Sequence, residues 1–338
     1  MVKISVVMPI YNTPVSFLKE AVESILDQTI QDFEFIIVDD GSANEIKEYL
    51  EGLTDPRIRI IRNETNIGIT KSLNIGFKAA HGQYIARMDA DDISFPERFE
   101  KQLAFMESNP DVIVCGAKAA NLGTGSSLTN VKMESMDSYR VRMLFANPGP
   151  THSTAFFRRQ KLNQYRIEYD ESLVYAQDYS LWMTISKLGR ICILPEVLLY
   201  YRVHPDQISK AHREKQIQCD KATQRKLLTE LLGNITEEEL NLHYTWSTGY
   251  FRNSIISHQA DLWFDRIAKA NQVTKEYDQK ELEKRIIHIK KNLIEQTYTP
   301  DMPKYEKMFL LFEYLSFLTA LKATICAIAS KIRKRFKA

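Results

Sequence analysis

Three carboxylates within four residues, Asp89, Asp91 and Asp92, stand directly after the apolar run Gly82-Gln83-Tyr84-Ile85-Ala86 and the pair Arg87-Met88. At the end of a buried strand such charges repel one another strongly, and a cation is the simplest compensation. Carboxylate oxygens suit hard ions such as Mg²⁺ or Mn²⁺, which keep waters and bind substrate phosphates. The plain alternative is an acidic turn that starts the next helix, because Asp92 precedes Ser94, Pro96 and Glu97. Asp39-Asp40-Gly41-Ser42 offers a second carboxylate pair. Asp40 can accept from a uracil ring N–H while Gly41 turns the chain sharply, and either aspartate can cap the following helix. In Tyr175-Ala176-Gln177-Asp178-Tyr179, Asp178 is a candidate general base for an acceptor hydroxyl, or a cap for the helix that follows. In Tyr201-Arg202-Val203-His204-Pro205, Arg202 and His204 share one side of an extended chain and suit a diphosphate or a metal. Lys71, beside Asn66-Ile67-Gly68 at a helix start, can meet a phosphate or ribose, although Asn and Gly here also read as turn chemistry. His152 is a candidate acceptor contact, and Arg158 and Arg159 read equally as phosphate contacts or surface charge.

The elements that must position these residues follow from periodicity. Short apolar runs at 4–8, 33–38, 57–62 and 83–88 alternate with helical patterns at 14–27, 45–53, 70–80 and 96–108. That alternation predicts βαβ units and a mainly parallel sheet, with ligands at the carboxyl ends of the strands. Pro9-Ile10-Tyr11-Asn12, Asp39-Asp40 and Asp89-Ala90-Asp91-Asp92 all fall at those ends. Further strands are expected at 112–116, 154–157, 191–194 and 197–201, with helices over 137–147 and 179–188 and a loop over 122–128. Two domains are expected: 1–205, and a helical region 206–338.

Hydrophobic residues make up 44% of the 338 residues and charged residues 26%, and the net charge of +2 gives no reason to expect nucleic acid. Four scattered cysteines, Cys115, Cys192, Cys219 and Cys326, share no metal or disulfide spacing and suit a reducing compartment. The first nine residues lack the pattern of a signal peptide, so a cytoplasmic location is expected. At the other end, 308–329 is apolar but interrupted by Glu313 and Lys322, and Lys331, Arg333, Lys334, Arg335 and Lys337 follow. This pattern favours an interfacial helix with a basic end over about 305–338, held on anionic lipid, rather than a spanning one. A helix packed on the protein, or one serving a homodimer, is the alternative.

Taken together, Pro9-Ile10-Tyr11-Asn12, Ser24 to Thr29, Val38 to Ser42, Asn66-Ile67-Gly68, Asn74-Ile75-Gly76, Ala86 to Asp92, Gln177-Asp178-Tyr179 and Tyr201 to His204 resemble a bacterial family-2 glycosyltransferase of the GT-A fold. The resemblance covers about residues 1–210, in the family's order. It implies a Rossmann-like α/β domain, a UDP-sugar donor, and Mn²⁺ or Mg²⁺. It places Pro9, Tyr11, Asn12, Asp40, Asn66, Lys71, Arg87, Asp89, Ala90 and Arg202 around the donor. Asp91 becomes the direct metal ligand, with Asp89 on ribose or metal and His204 near both metal and diphosphate. Asp178 becomes the catalytic base, and Asp92 is left to start the next helix. Gln177 stands where many relatives carry Glu. The pattern is similar to lipopolysaccharide and capsule galactosyl- or N-acetylgalactosaminyltransferases. It implies an inverting transfer from UDP-Gal, UDP-GalNAc or UDP-Glc to an oligosaccharide or lipid-linked saccharide, at the cytoplasmic face of the inner membrane. Rival readings are a nucleotidyltransferase, disfavoured by the lack of Gly between Met8 and Pro14; a phosphatase using Asp-x-Asp, without an identifiable partner Lys; and a non-catalytic nucleotide-sugar-binding assembly factor.

Overall fold

The computed structural model describes residues 2–127, 135–204, 212–248 and 258–297. The expected interfacial helix at about 305–338 lies outside these residues, as does the junction at 205–211. The described residues fall into two compact units, one made of those up to 139 with those from 147 to 223, the other of 140–146 with those from 224 onward.

The first unit is built on strands β1 (Ile4–Ile10), β2 (Phe33–Asp39), β3 (Ile58–Arg62), β4 (Tyr84–Arg87), β5 (Ile93–Ser94), β6 (Val112–Asn121), β7 (Phe156–Arg158) and β8 (Arg190–Tyr201). They form one eight-stranded sheet in the order β3-β2-β1-β4-β7-β6-β8-β5. The pairs β1–β2, β1–β4, β2–β3 and β6–β8 are parallel; β7 runs antiparallel to both β4 and β6, and β5 antiparallel to β8. Strands β1 to β4, β6 and β8 therefore point the same way, and their carboxyl ends share one edge. Every residue of β1 is buried, as expected of a parallel strand covered on both faces.

Helices α1 (Val15–Leu26), α2 (Asn44–Glu51), α3 (Ile69–Ala79) and α4 (Arg98–Ser108) connect the first strands. Leu18, Ala21, Val22 and Ile25 of α1 recur at helical spacing and pack with Phe33, Phe35 and Phe99 in the main core. The loop at Gly41 is fixed sterically: its φ is +76°, and an added Cβ would lie 2.7 Å from the Thr65 carbonyl carbon.

The structure departs from the sequence expectations at three places. The runs expected as separate strands at 191–194 and 197–201 are one strand, because Pro195 and Glu196 bulge out between Leu194 and Val197 without breaking the ladder to β6. The helix after the acidic cluster begins only at Arg98, after β5, so Asp92 does not start it. The helix expected from Tyr179 begins at Gln177, which puts Asp178 inside its first turn rather than before it.

Between β6 and β8 lie α5 (Met136–Phe145), α6 (Arg159–Tyr165) and α7 (Gln177–Ser186). The second unit contains α8 (Arg213–Leu232) from residue 224 onward, α9 (Glu237–Thr248), α10 (His258–Thr274) and α11 (Gln279–Thr297). The short segment 140–146 belongs with it because Leu144 and Phe145 are buried there; Phe145 stacks on His243 at 5.3 Å and meets Phe264. The expected boundary at 205/206 thus falls inside the first unit. Among the described residues no helix is long and apolar enough to cross a membrane.

Candidate active site at the carboxyl ends of the strands

Asp89, Asp91 and Asp92 follow β4 directly, and one oxygen from each lies within 4.8 Å of the others. Burial, then the charge of Asp89, pushes the Asp91 carboxyl above the ordinary carboxylate range, against the pull of His204. Burial and the charges of Asp89 and Asp91 push Asp92 well above it. The cluster therefore carries more negative charge than its surroundings neutralise, and hard oxygen donors in that state fit a divalent cation.

The support beneath the cluster is specific. Arg87, only 2% exposed, pairs through Nη1 with Asp89 and donates to Ser153 Oγ at 3.1 Å. The donor contact expected of Arg87 thus meets a guanidinium turned inward, behind the carboxylates. Burial lowers its affinity for the proton, but Asp89 and its neighbours more than compensate. Arg98, fully buried, holds the Arg87 carbonyl at 2.7 Å and Gln102 Oε1 at 3.0 Å; burial drives its pKa down to about 9. Ser153 Oγ bridges Asp89 and Asp92, lying 2.5 Å from Asp92.

The end of β8 closes the site. His204 Nε2 lies 2.9 Å from Asp91 Oδ2, its ring against Phe17 at 5.6 Å. The Arg202 N–H donates to Asp92 Oδ1 at 3.0 Å and its Nε to the Asp91 carbonyl at 2.8 Å, while Nη2 pairs with Glu20 and the guanidinium lies 4.2 Å over Phe17. Arg202 is thus committed to holding the acidic loop, and Asp92 ties that loop to β8.

At the end of β2 the two aspartates divide their work. Asp39 accepts from the Ser42 N–H at 2.9 Å, closing the turn before α2, and pairs with Arg62 at 2.9 Å; the capping role expected of one of the two aspartates is not taken up, because no side chain caps α2, whose N-cap is Ala43. Asp40 accepts from the N–H groups of Ile67 and Gly68 at 2.9 and 2.8 Å and from Asn63 at 2.8 Å. Three of its roughly four lone-pair sites are thus used. Asn12, at φ +49°, accepts from the Ala43 N–H at 2.9 Å and fixes the same loop from β1. Pro9 is buried within β1 and Ala90 within the acidic loop, whereas Tyr11 is 49% exposed, and Asn66 and Lys71 are exposed at the start of α3.

Asp178 lies half-buried in the first turn of α7 and accepts from Asn147 Nδ2 at 2.9 Å. Burial raises its pKa; the hydrogen bond from Asn147 and the nearby Arg87 hold it back. His152 does not stand free as an acceptor contact. Its Nε2 is 2.8 Å from the Tyr169 hydroxyl, and burial, aided by Arg87, keeps the ring neutral far below the ordinary histidine pKa. Arg158 and Arg159 are both engaged by backbone carbonyls. Register pairs Arg158 with Tyr84, the first residue of β4, so both lie at the opposite end of that strand; Arg158 binds the carbonyls of Val112, Met106 and Asn109, and Arg159 those of His81 and Gly82. Ser153, Arg98 and Tyr169 went unremarked in the sequence, and Asn147 was read only as the start of the break Asn147-Pro148-Gly149-Pro150. None lies in a local chemical motif.

A sheet whose strand ends carry an acidic cluster, a loop-bound aspartate and a half-buried carboxylate fits an α/β enzyme for a phosphate-bearing ligand. Comparison with known proteins makes the class specific. The family model described as "Glycosyl transferase family 2" matches residues 5–166. A glycosyltransferase of Haemophilus influenzae is 32% identical over 246 residues, covering 69% of this chain and 75% of the relative. The amylovoran biosynthesis glycosyltransferase AmsE of Erwinia amylovora is 33% identical over 213 residues, covering 61% and 78%. The crystal structure of S. aureus TarS 1–349 in complex with UDP-GlcNAc superposes with a TM-score of 0.59 at 18% identity, covering 87% of this chain and 89% of that one. The fold is GT-A. The chain belongs to glycosyl transferase family 2, and its activity is glycosyl transfer.

Proposed function

We propose that the protein is a metal-dependent, inverting glycosyltransferase that moves a hexose or N-acetylhexosamine from a UDP-sugar to a hydroxyl of a cell-surface glycan precursor. The acidic cluster carries this reading: three carboxylates share one strand end, two of them held above their ordinary pKa by burial and mutual repulsion. TarS, which shares the fold, was solved with UDP-GlcNAc and with UDP, and AmsE is named for amylovoran biosynthesis; both support a nucleotide-sugar donor and a saccharide acceptor. UDP-Gal, UDP-GalNAc and UDP-Glc are the donors of choice.

In this reading Asp40, with Pro9, Tyr11, Asn12, Asn66 and Lys71, receives the uridine. Asp91, with Asp89 and His204, holds Mn²⁺ or Mg²⁺, which supplies positive charge against the diphosphate. Arg87 and Arg202 keep the acidic loop in place from below and from the side. Asp178 takes the proton of the acceptor hydroxyl as that oxygen bonds to the anomeric carbon and the bond from that carbon to the UDP oxygen breaks. An α-linked donor then gives a β-linked product. The raised pKa of Asp178 suits a base that must capture a proton near neutral pH.

A panel of UDP-sugars with Mn²⁺ or EDTA, read as UDP release with and without saccharide acceptors, tests the assignment. Metal-dependent release from one of these donors is expected; no turnover of any nucleotide-sugar contradicts it. We further propose that 305–338 holds the enzyme on the anionic cytoplasmic face of the bacterial inner membrane. Co-sedimentation with anionic vesicles that is unchanged by deletion of 305–338 contradicts that part.

A further inference from the structure

Asn147 is the first residue after the segment 140–146 and opens the stretch Asn147-Pro148-Gly149-Pro150, which several contacts hold in place. Its Oδ1 accepts from the Gly149 N–H at 3.0 Å, which settles which end of the amide is which. The Nδ2 end must then face Asp178 Oδ2, 2.9 Å away. The turn is clamped from two further directions: Tyr139 donates its hydroxyl hydrogen to the Gly149 carbonyl, and Pro150 packs so tightly on Gly116 that an added Cβ there would lie 2.1 Å from it. A carboxylate acting as base has two oxygens and a rotatable χ2; holding one oxygen on a rigid donor aims the other.

We infer that Asn147 is a positioning residue for the transfer reaction, holding Asp178 Oδ2 so that Oδ1 faces the acceptor hydroxyl. This rests on Asp178 being the base. The charged and titratable groups that face Asp178 are Arg87 from β4 and Tyr169 from the segment before α7; its helix neighbour Gln177 is neutral. Of the side chains around it, only Asn147 donates a hydrogen bond to its carboxylate among the described residues. That bond favours the ionised base and sets its geometry, without adding charge to a site that already carries three other carboxylates.

The test is a pH profile of kcat and kcat/KM for transfer by the full chain, with Mn²⁺ and the donor selected by the panel, in Asn147→Ala and the isosteric Asn147→Asp. Asn147→Ala is expected to lower kcat ~10- to 100-fold, as loss of a hydrogen bond to a charged group does. It should leave both KM values within about threefold and move the acid limb up by about one pH unit. Asn147→Asp places a second carboxylate against the base and should move that limb further still. A raised acceptor KM with an unmoved limb makes Asn147 an acceptor contact and overturns the inference. So does lowered thermal stability with an unmoved limb, which is a purely structural role. Asp178→Asn measured alongside separates the two levels: its near-normal turnover refutes the base itself, whereas an inactive Asp178→Asn with unmoved Asn147 profiles refutes only the positioning.

Discussion

Asp91 Oδ2 and His204 Nε2, 113 residues apart in the chain, lie 2.9 Å from each other and join the end of β4 to the end of β8. The Arg202 contacts to Asp92 and to the Asp91 carbonyl make the same join through the backbone. The acidic loop is thereby gripped between two strands at opposite halves of the sheet order, before any ligand arrives. Such preorganisation favours metal binding in a fixed geometry.

Replacing Asp91 should therefore abolish metal-dependent donor binding. In Asp91→Ala, calorimetry with UDP and Mn²⁺ is expected to show at least ~100-fold weaker binding, beyond the 10- to 100-fold typical of losing an outer-shell partner. Binding of UDP in EDTA should change little. Unchanged affinity in Mn²⁺ removes Asp91 as a ligand.

Asp40 holds the loop before α3 by accepting from two backbone N–H groups. Asp40→Asn turns one acceptor into a donor facing an N–H, so the loop must shift and, with it, the uridine site proposed there. UDP affinity is expected to fall ~10- to 100-fold, with the fold intact by circular dichroism.

Gly116 has no room for a side chain, because Pro150 and Thr154 Oγ1 occupy the space. Gly116→Ala should cost about 1–3 kcal/mol of stability by overpacking, read as a lower denaturant midpoint. It should also reduce transfer, since the displaced turn carries Asn147.

His243, in the second unit, is a buried histidine whose tautomer is dictated by its partners. Its Nδ1 accepts from Trp263 Nε1–H at 3.1 Å and its Nε2–H donates to the Leu144 carbonyl at 2.9 Å. Burial lowers its pKa from 6.5 to about 4, and a proton on Nδ1 would point at the Trp263 donor. The folded-state pKa lies below the unfolded one, so this contribution is complete above pH 6.5 and is lost as pH falls towards about 4. Its full size is about 3 kcal/mol. Melting curves between pH 7 and 4 should fall more steeply for the wild type than for His243→Gln; parallel curves contradict the account.

The strand-end motifs were readable because each is local: a parallel strand is a continuous apolar run, and its loop follows at once. Asp39, Asp40, Asp89 and Asp91 could be picked out that way, and Asp178 from its place at a helix start. The division of roles could not, since it depends on pairing across the sheet. Asp92 read as a helix start because Pro96 and Glu97 follow it, yet Ser153 and Arg202, 61 and 110 residues away, take its oxygens. Arg158 stayed open between a phosphate contact and surface charge because nothing in sequence reveals that β7 runs backwards between β4 and β6. Ser153, Asn147 and Arg98 are ordinary residues in ordinary contexts until the fold places them beside a carboxylate or a carbonyl.

The most direct test of the account is transfer by Asp178→Asn with UDP and metal binding measured on the same protein. UDP–Mn²⁺ affinity is expected to stay within about threefold of wild type while transfer falls ~10²- to 10⁴-fold, the range of general-base catalysis. Transfer at near wild-type rate, with intact donor binding, would contradict it.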